Sequence, residues 1–228
     1  MNALVLDRVC KSRGSGAQRV AALRDVSLRI RRGELVMLEG PSGSGKTTLL
    51  AVAGSLLTAD SGSVELGGES LCGRSSSERR RLRASCVGFV FQHANLLTSL
   101  SVRQNLLLRS QLAGVGRAEA ARSADELLER LGIEKLADRF PAALSGGEEM
   151  RAAVARALVH RPILVLADEP SASLDGDSAL SVADALSRIA RERNAAVLVA
   201  THDARLTPYS DRRAGLLDGR LRNGGGNV

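Results

Sequence analysis

Tryptophan is absent from this 228-residue chain, which holds one tyrosine and three phenylalanines. So few aromatics leave no stacking platform of the kind single-stranded nucleic acid binds. No nucleic-acid partner is therefore expected, although the net charge is +7. Lysine is nearly absent as well: Lys11, Lys46 and Lys135 are the whole set, and arginine carries the positive charge. Cysteine is sparse and odd in number. Cys10, Cys72 and Cys86 form no C-x-x-C pair, which argues against a disulfide framework or a thiolate metal site and fits a reducing compartment. No apolar run approaches the roughly 18 residues of a spanning helix. The opening residues Met1 to Asp7 lack a basic segment followed by a long apolar one, so no secretory signal is visible.

The rest is the composition of a globular protein with a sizeable core, 44% hydrophobic and 25% charged. Short, nearly continuous apolar runs recur: Leu35 to Leu38, Val87 to Phe91, Ile163 to Ala167 and Ala195 to Ala200. Strands of that kind are buried on both faces, which predicts a parallel sheet between helical layers. Helices are expected at Thr47 to Leu57 and at Ser178 to Arg193, where Val182, Leu186 and Ile189 fall at helical spacing. Leu4 to Leu6, Val26 to Ile30 and Ser63 to Leu66 alternate and are flanked by turn residues, which predicts an antiparallel flap. Residues from about His93 to Leu144 read as mostly helical.

Gly40-Pro41-Ser42-Gly43-Ser44-Gly45-Lys46-Thr47-Thr48 fits G-x-x-x-x-G-K-[ST] and lies between a buried strand and a helix. Glycines there let backbone N–H groups wrap phosphates, Lys46 can reach the β- and γ-phosphates, and the Thr47 hydroxyl can ligate Mg²⁺. Asp168-Glu169-Pro170 ends another apolar run. A carboxylate at such a strand end is costly without a cation or donors. Asp168 is expected to face the magnesium shell, and Glu169 to orient and deprotonate a water for attack on the γ-phosphate. The proline biases Glu169 towards an extended conformation. Gln92 and His202 follow two further apolar runs, so four polar endings meet where open α/β sheets bind ligands.

Leu144-Ser145-Gly146-Gly147-Glu148 has the S-x-x-E pattern of a capping box, with Ser145 as N-cap and Glu148 at the third helical position. The box does not explain the glycines, each of which costs about 1 kcal/mol against alanine in a helix. An anion approaching bare N–H groups at the positive helix end would call for them. A second phosphate site is therefore expected in a chain with one P-loop. Arg79, Arg80, Arg81 and Arg83 form the densest basic cluster. It reads as a solvated helix face first and as a contact for anionic headgroups or a membrane partner second.

In this order the segments resemble the nucleotide-binding domain of ABC transporters, over essentially the whole chain. They include the P-loop, a glutamine loop at Gln92, the signature at 144–148, the acidic strand end, an Asp loop from Ser171 to Asp175 and a switch histidine at His202. The resemblance implies an α/β P-loop NTPase core with a parallel sheet, an N-terminal antiparallel β subdomain and an inserted helical subdomain. Core and β lobe would take 1–92 and 151–228, and the helical subdomain about 93–150. It implies an ATPase using ATP and Mg²⁺, with Gln92 beside Thr47 and Asp168 at the metal. In the homodimer Ser145, Gly146, Gly147 and Glu148 would meet the γ-phosphate of the opposite chain, and Asp175 would cross the interface. His202 would hold the γ-phosphate and the attacking water. The partner would be a separate transmembrane permease, and the place the cytoplasmic face of the cell membrane.

Within that family the segments Gly88 to Gln92 and Leu164 to Pro170 are most similar to the lipoprotein-releasing and macrolide-export group. The chain departs from that group's pattern at Ser171 to Asp175 and at Glu149-Met150-Arg151. It carries Arg13 near the position of the aromatic that stacks on adenine in many members. Other readings are a force-transmitting ATPase of the cell-division type and an importer ATPase. A P-loop kinase would not need Ser145-Gly146-Gly147.

Overall fold

Two-sided burial of the apolar strands is what the computed structural model of the chain displays; it describes residues 1–14, 16 and 20–222, the side chain of residue 189 excepted. β3 (Leu35–Glu39), β6 (Val87–Val90), β7 (Leu164–Asp168), β8 (Ala196–Ala200), β9 (Arg212–Leu217) and β10 (Arg220–Arg222) form a six-stranded sheet in the order β10-β9-β3-β8-β7-β6. The strands from β9 to β6 are parallel, and β10 pairs antiparallel at the edge. Alternate side chains divide between two cores, as a period of two requires. Val36, Leu38, Leu166 and Leu198 pack with Leu49, Leu50 and Val52 of α1 (Lys46–Ala53). Met37, Val165, Val197 and Val199 pack with α5 (Gly146–Leu158) and α6 (Gly176–Arg193).

The expected flap is a separate four-stranded antiparallel sheet, ordered β2-β1-β4-β5. Its strands are β1 (Asn2–Arg13), β2 (Val20–Arg31), β4 (Ser61–Leu66) and the two-residue β5 (Glu69–Ser70). Leu4, Leu6, Val26, Leu28, Val64 and Leu66 turn inward onto the α1 face of the large sheet. α2 (Ser76–Cys86) leads from this sheet into β6, and it starts at a capping box of Ser75 and Glu78. Between β6 and β7 the chain runs through α3 (Val102–Leu112), α4 (Arg117–Arg130) and α5, whose apolar sides join the second core. The division expected at residue 150 falls inside α5, and residues 223–228 of the expected core lie outside the described residues.

One helix is shorter than its pattern. α1 was expected to reach Leu57 and stops at Ala53, with Gly54 as its C-cap. A Cβ on Gly54 would sit 2.2 Å from the Phe89 ring, so only glycine lets the helix end lie against β6. Ser55 then turns into the left-handed region at φ +57. Among the described residues no helix is long and apolar enough to cross a membrane.

Candidate functional site

The parallel strands all point their carboxyl ends at one edge, where the polar groups sit on a strand end and on the loops that follow the strands. Gly40 to Gly45 leave β3 and enter α1. Gly40, Gly43 and Gly45 take φ values of +157, +78 and +108, which side chains other than glycine rarely adopt at such turns. A Cβ on Gly40 would meet the Leu216 carbonyl oxygen at 2.2 Å, and one on Gly45 the Ala22 carbonyl oxygen at 2.4 Å. The loop is thus wedged between β9 and β2. Lys46 folds back over it, its Nζ donating to the carbonyls of Gly40 (2.7 Å) and Pro41 (3.2 Å). The Ser44 hydroxyl is buried and has no hydrogen-bond partner among the described residues.

Asp168 and Glu169 stand at the end of β7, separated from β3 by β8. Burial raises the Asp168 pKa above its ordinary value, and Thr47 and Lys46 across that gap pull it back in part. Glu169 is not extended, contrary to the expectation from Pro170. Its φ is +49. The Pro rule disfavours the right-handed region for the preceding residue, and here the alternative taken is left-handed. The Glu169 N–H carries the ladder on by bonding the Ala200 carbonyl at 2.8 Å, and the Glu169 carbonyl accepts from the Ala172 N–H at 3.2 Å. Those two bonds and a buried Pro170 force a sharp turn at once after the strand. Strain of this sort is a feature of functional sites.

The turn aims Glu169 at His202, which follows β8. Nδ1 of His202 and Oε1 of Glu169 are 2.9 Å apart, with the imidazole largely exposed. Oε2 of Glu169 is buried without a hydrogen-bond partner among the described residues. A buried carboxylate oxygen and a buried hydroxyl on Ser44, both unpaired at one edge, suit a ligand that brings donors and acceptors of its own. ATP with Mg²⁺ fits that set. Among the described residues no cluster of three or more His, Cys, Asp or Glu side chains exists to cage a metal unaided. One carboxylate and one hydroxyl beside phosphate oxygens is the manner in which Mg²⁺ is ordinarily held. Gln92 is exposed, two residues past β6 at the same sheet edge.

Ser145 to Glu148 stand elsewhere. The capping box is formed: the Ser145 N–H donates to Glu148 Oε2 (2.8 Å), and Ser145 Oγ accepts from the Glu148 N–H (3.4 Å). Among the described residues no hydrogen bond or ion pair joins this turn to Gly40–Thr48. The glycines divide in purpose. A Cβ on Gly147 would lie 2.6 Å from Ser178 Oγ, so this glycine is needed for packing against α6. Packing against Ser178 is therefore reason enough for the glycine at 147, with or without an anion. A Cβ on Gly146 would meet no other segment closer than Leu174 Cδ2 at 3.8 Å, which leaves this face of the helix start open. Asp175 is the N-cap of α6, accepting from the Ser178 N–H at 2.9 Å, and this bond lowers its pKa.

Sequence reasoning passed over Asp203. Its carboxylate takes Nε and Nη2 of Arg205 (2.8 and 2.7 Å) and the Ser171 hydroxyl (3.0 Å), and Arg205 above all draws its pKa down to about 2. It thereby ties the segment after His202 to the one after Glu169. The signal was an Asp two residues before an Arg, at the start of a short 3-10 turn. Arg13 is exposed at the end of β1, opposite Val20.

Comparison with known proteins agrees with this geometry. A family model described as ABC transporter matches residues 23–172. The lipoprotein-releasing system ATP-binding protein LolD 2 of Caulobacter vibrioides is 44% identical over 95% of this chain and 93% of its own. A protein of Staphylococcus haemolyticus, provisionally named the hemin import ATP-binding protein HrtA, is 38% identical over 96% of this chain and 99% of its own. Among solved structures, the dimeric post-hydrolysis state of the ATP-binding cassette MJ0796 with ADP and Pi superposes with a TM-score of 0.87 at 32% identity, covering 96% of this chain and 97% of that one.

Proposed function

The chain belongs to the ABC transporter family and is its ATP-hydrolysing subunit, and from that premise we propose that two copies close around two MgATP to drive a separate transmembrane permease. One observation carries the composite site. The P-loop and the Ser145–Gly147 turn both present anion-binding backbone, yet within one chain they do not meet, and the MJ0796 cassette that this chain resembles is a dimer. Closure would set Ser145 and the open face of Gly146 against the phosphates held by the opposite chain. Asp175 would stand at the dimer interface.

Within each half, Lys46 and the backbone N–H groups from Gly43 to Thr48 would hold the phosphates. Thr47, Asp168 and Gln92 would hold Mg²⁺, which when bound neutralises phosphate charge. Glu169 would take the proton of the attacking water, and His202 would steady both the carboxylate and that water. The raised pKa of Asp168 suits a group that awaits a cation. The left-handed turn at Glu169 brings its carboxylate to His202, which would leave Asp168 to face metal and Glu169 to face water. The core with its β lobe (1–92, 151–228) would carry these groups, and the helical part (about 93–150) would carry Ser145 to Glu148.

The permease would hold the chain at the inner face of the membrane. For cargo we propose extrusion or extraction of a lipidated or amphipathic molecule, as the name of the LolD relatives suggests. Import is the second reading, favoured by the name of the HrtA relative. The test of the composite site is complementation. Lys46→Ala and Gly146→Asp chains, each inactive alone, regain ATPase activity when mixed as differently tagged dimers. No recovery in verified mixed dimers would refute it. Co-purification of the permease and a transport assay in vesicles decides the direction.

A further inference from the structure

Asn95, three residues past Gln92, also stands in the left-handed region, at φ +51. Its carbonyl accepts from Nη1 of Arg156, and the neighbouring Ala94 carbonyl accepts from Nη2 at 2.9 Å. Arg156 sits on α5, three turns beyond Ser145 on the same helix. The following stretch is gripped from α3. Asn105, 2% exposed, accepts the Leu97 N–H at 2.8 Å and donates to the carbonyls of Leu97, Leu100 and Ser101 at 3.0 to 3.2 Å. Gln92 and His93 are exposed, and among the described residues neither has a hydrogen bond from its side chain. The chain after Gln92 is therefore fastened to the helices, and the residues at Gln92 itself are not.

A guanidinium that satisfies two loop carbonyls can be a local staple and nothing more. Here its two ends lie in segments of separate chemistry: the one that follows Gln92, and the helix that opens with Ser145 and Gly146. A planar fork fixed to both carbonyls transmits displacement and rotation alike, which a single contact would not. We propose that Arg156 is a positioning residue that holds the Gln92 segment in register with the Ser145–Gly147 turn, so that a shift at Gln92 moves the helix bearing that turn. This rests on the roles proposed above for Gln92 and for Ser145 to Gly147.

The test begins without nucleotide. Arg156→Met keeps an unbranched stem and removes the donors. Amide exchange in residues 93–97 is expected to quicken at least tenfold, with β7 and α6 unchanged. With ATP, kcat should fall about tenfold while nucleotide affinity in a Glu169→Gln background stays within threefold. Gln92→Ala combined with Arg156→Met should lose no more kcat than Gln92→Ala alone, because the arginine acts through that segment. Arg156→Lys should restore part of both losses. Unchanged exchange, losses that multiply in the double variant, or a parallel fall in nucleotide affinity would each overturn the proposal. If Arg156→Met does not fold, Arg156→Lys carries both readouts, and wild-type exchange and kcat in that variant overturn it. Should Gln92→Ala alone leave kcat intact, the role of Gln92 fails while the exchange measurement still judges the tie.

Discussion

His202 Nδ1 rests 2.9 Å from Glu169 Oε1, a contact between residues that follow adjacent strands of the parallel sheet. An ionised carboxylate can only accept, so an ionised Glu169 takes an N–H from Nδ1 of His202. The pair thus leaves one carboxylate oxygen, Oε2, for work of its own.

Glu169→Gln keeps the size of the side chain and an acceptor for His202 and removes the base. ATP binding should persist, and hydrolysis should fall by the ~10²–10⁴-fold typical of a lost general base. ATP-bound dimer should accumulate in size-exclusion chromatography. Full turnover would strike out Glu169 as the base.

Gly146 and Gly147 should separate in a pair of alanine variants. Gly147→Ala drives a methyl to 2.6 Å from Ser178 Oγ and should cost about 1–3 kcal/mol of stability, in the range of overpacking. Ser178→Gly should recover much of that loss. Gly146→Ala meets nothing closer than 3.8 Å and should melt like the wild type, with ATPase activity reduced. Thermal melts and turnover rates of the three variants settle the division.

Lys46→Met removes the ammonium that now bonds the Gly40 and Pro41 carbonyls. The stem still packs, so the melting temperature should move little. Nucleotide affinity by calorimetry should drop about 10- to 100-fold, the worth of one or two charge-assisted hydrogen bonds. Retained affinity would argue against the P-loop assignment.

His160 offers a pH test of the scaffold. The ring is 6% exposed, its Nε2 lies 2.8 Å from Arg109, and burial followed by that positive charge lowers its pKa to about 3. A folded value below the ordinary 6.5 means that the unfolded chain binds the extra proton first. Stability from this group is whole above pH 6.5 and declines as pH falls from there towards 3. The slope is up to about 1.4 kcal/mol per pH unit, or about 2 kcal/mol by pH 5. His160→Gln can accept from Arg109 and cannot titrate, so its denaturation midpoint should decline less between pH 6.5 and 5. Identical pH profiles would refute the assignment.

The sequence exposed the parts of this molecule whose cause is local. Apolar runs such as Val36 to Leu38 disclosed buried strands, and Ser145 with Glu148 disclosed a helix start that the structure reproduces bond for bond. Contacts between distant segments were hidden. Nothing in Gly147 announces that Ser178, 31 residues on, requires it to lack a side chain. Pro170 narrowed the choices for Glu169 without choosing among them, because the deciding bond comes from Ala200 on another strand. Nothing local sets Arg156 apart from the other arginines, because the carbonyls it grips lie 61 and 62 residues earlier.

The strand order has a consequence for biosynthesis. β3 delivers the P-loop from the first quarter of the chain, yet its neighbours are β8, starting at Ala196, and β9, starting at Arg212. A nascent chain leaving the ribosome therefore exposes the strand that carries its phosphate loop long before either neighbouring strand exists. The central strand closes last, at a high loop-entropy cost. Truncation ahead of residue 212 would strip the loop of its β9 wall, and premature termination should yield chains unable to retain nucleotide.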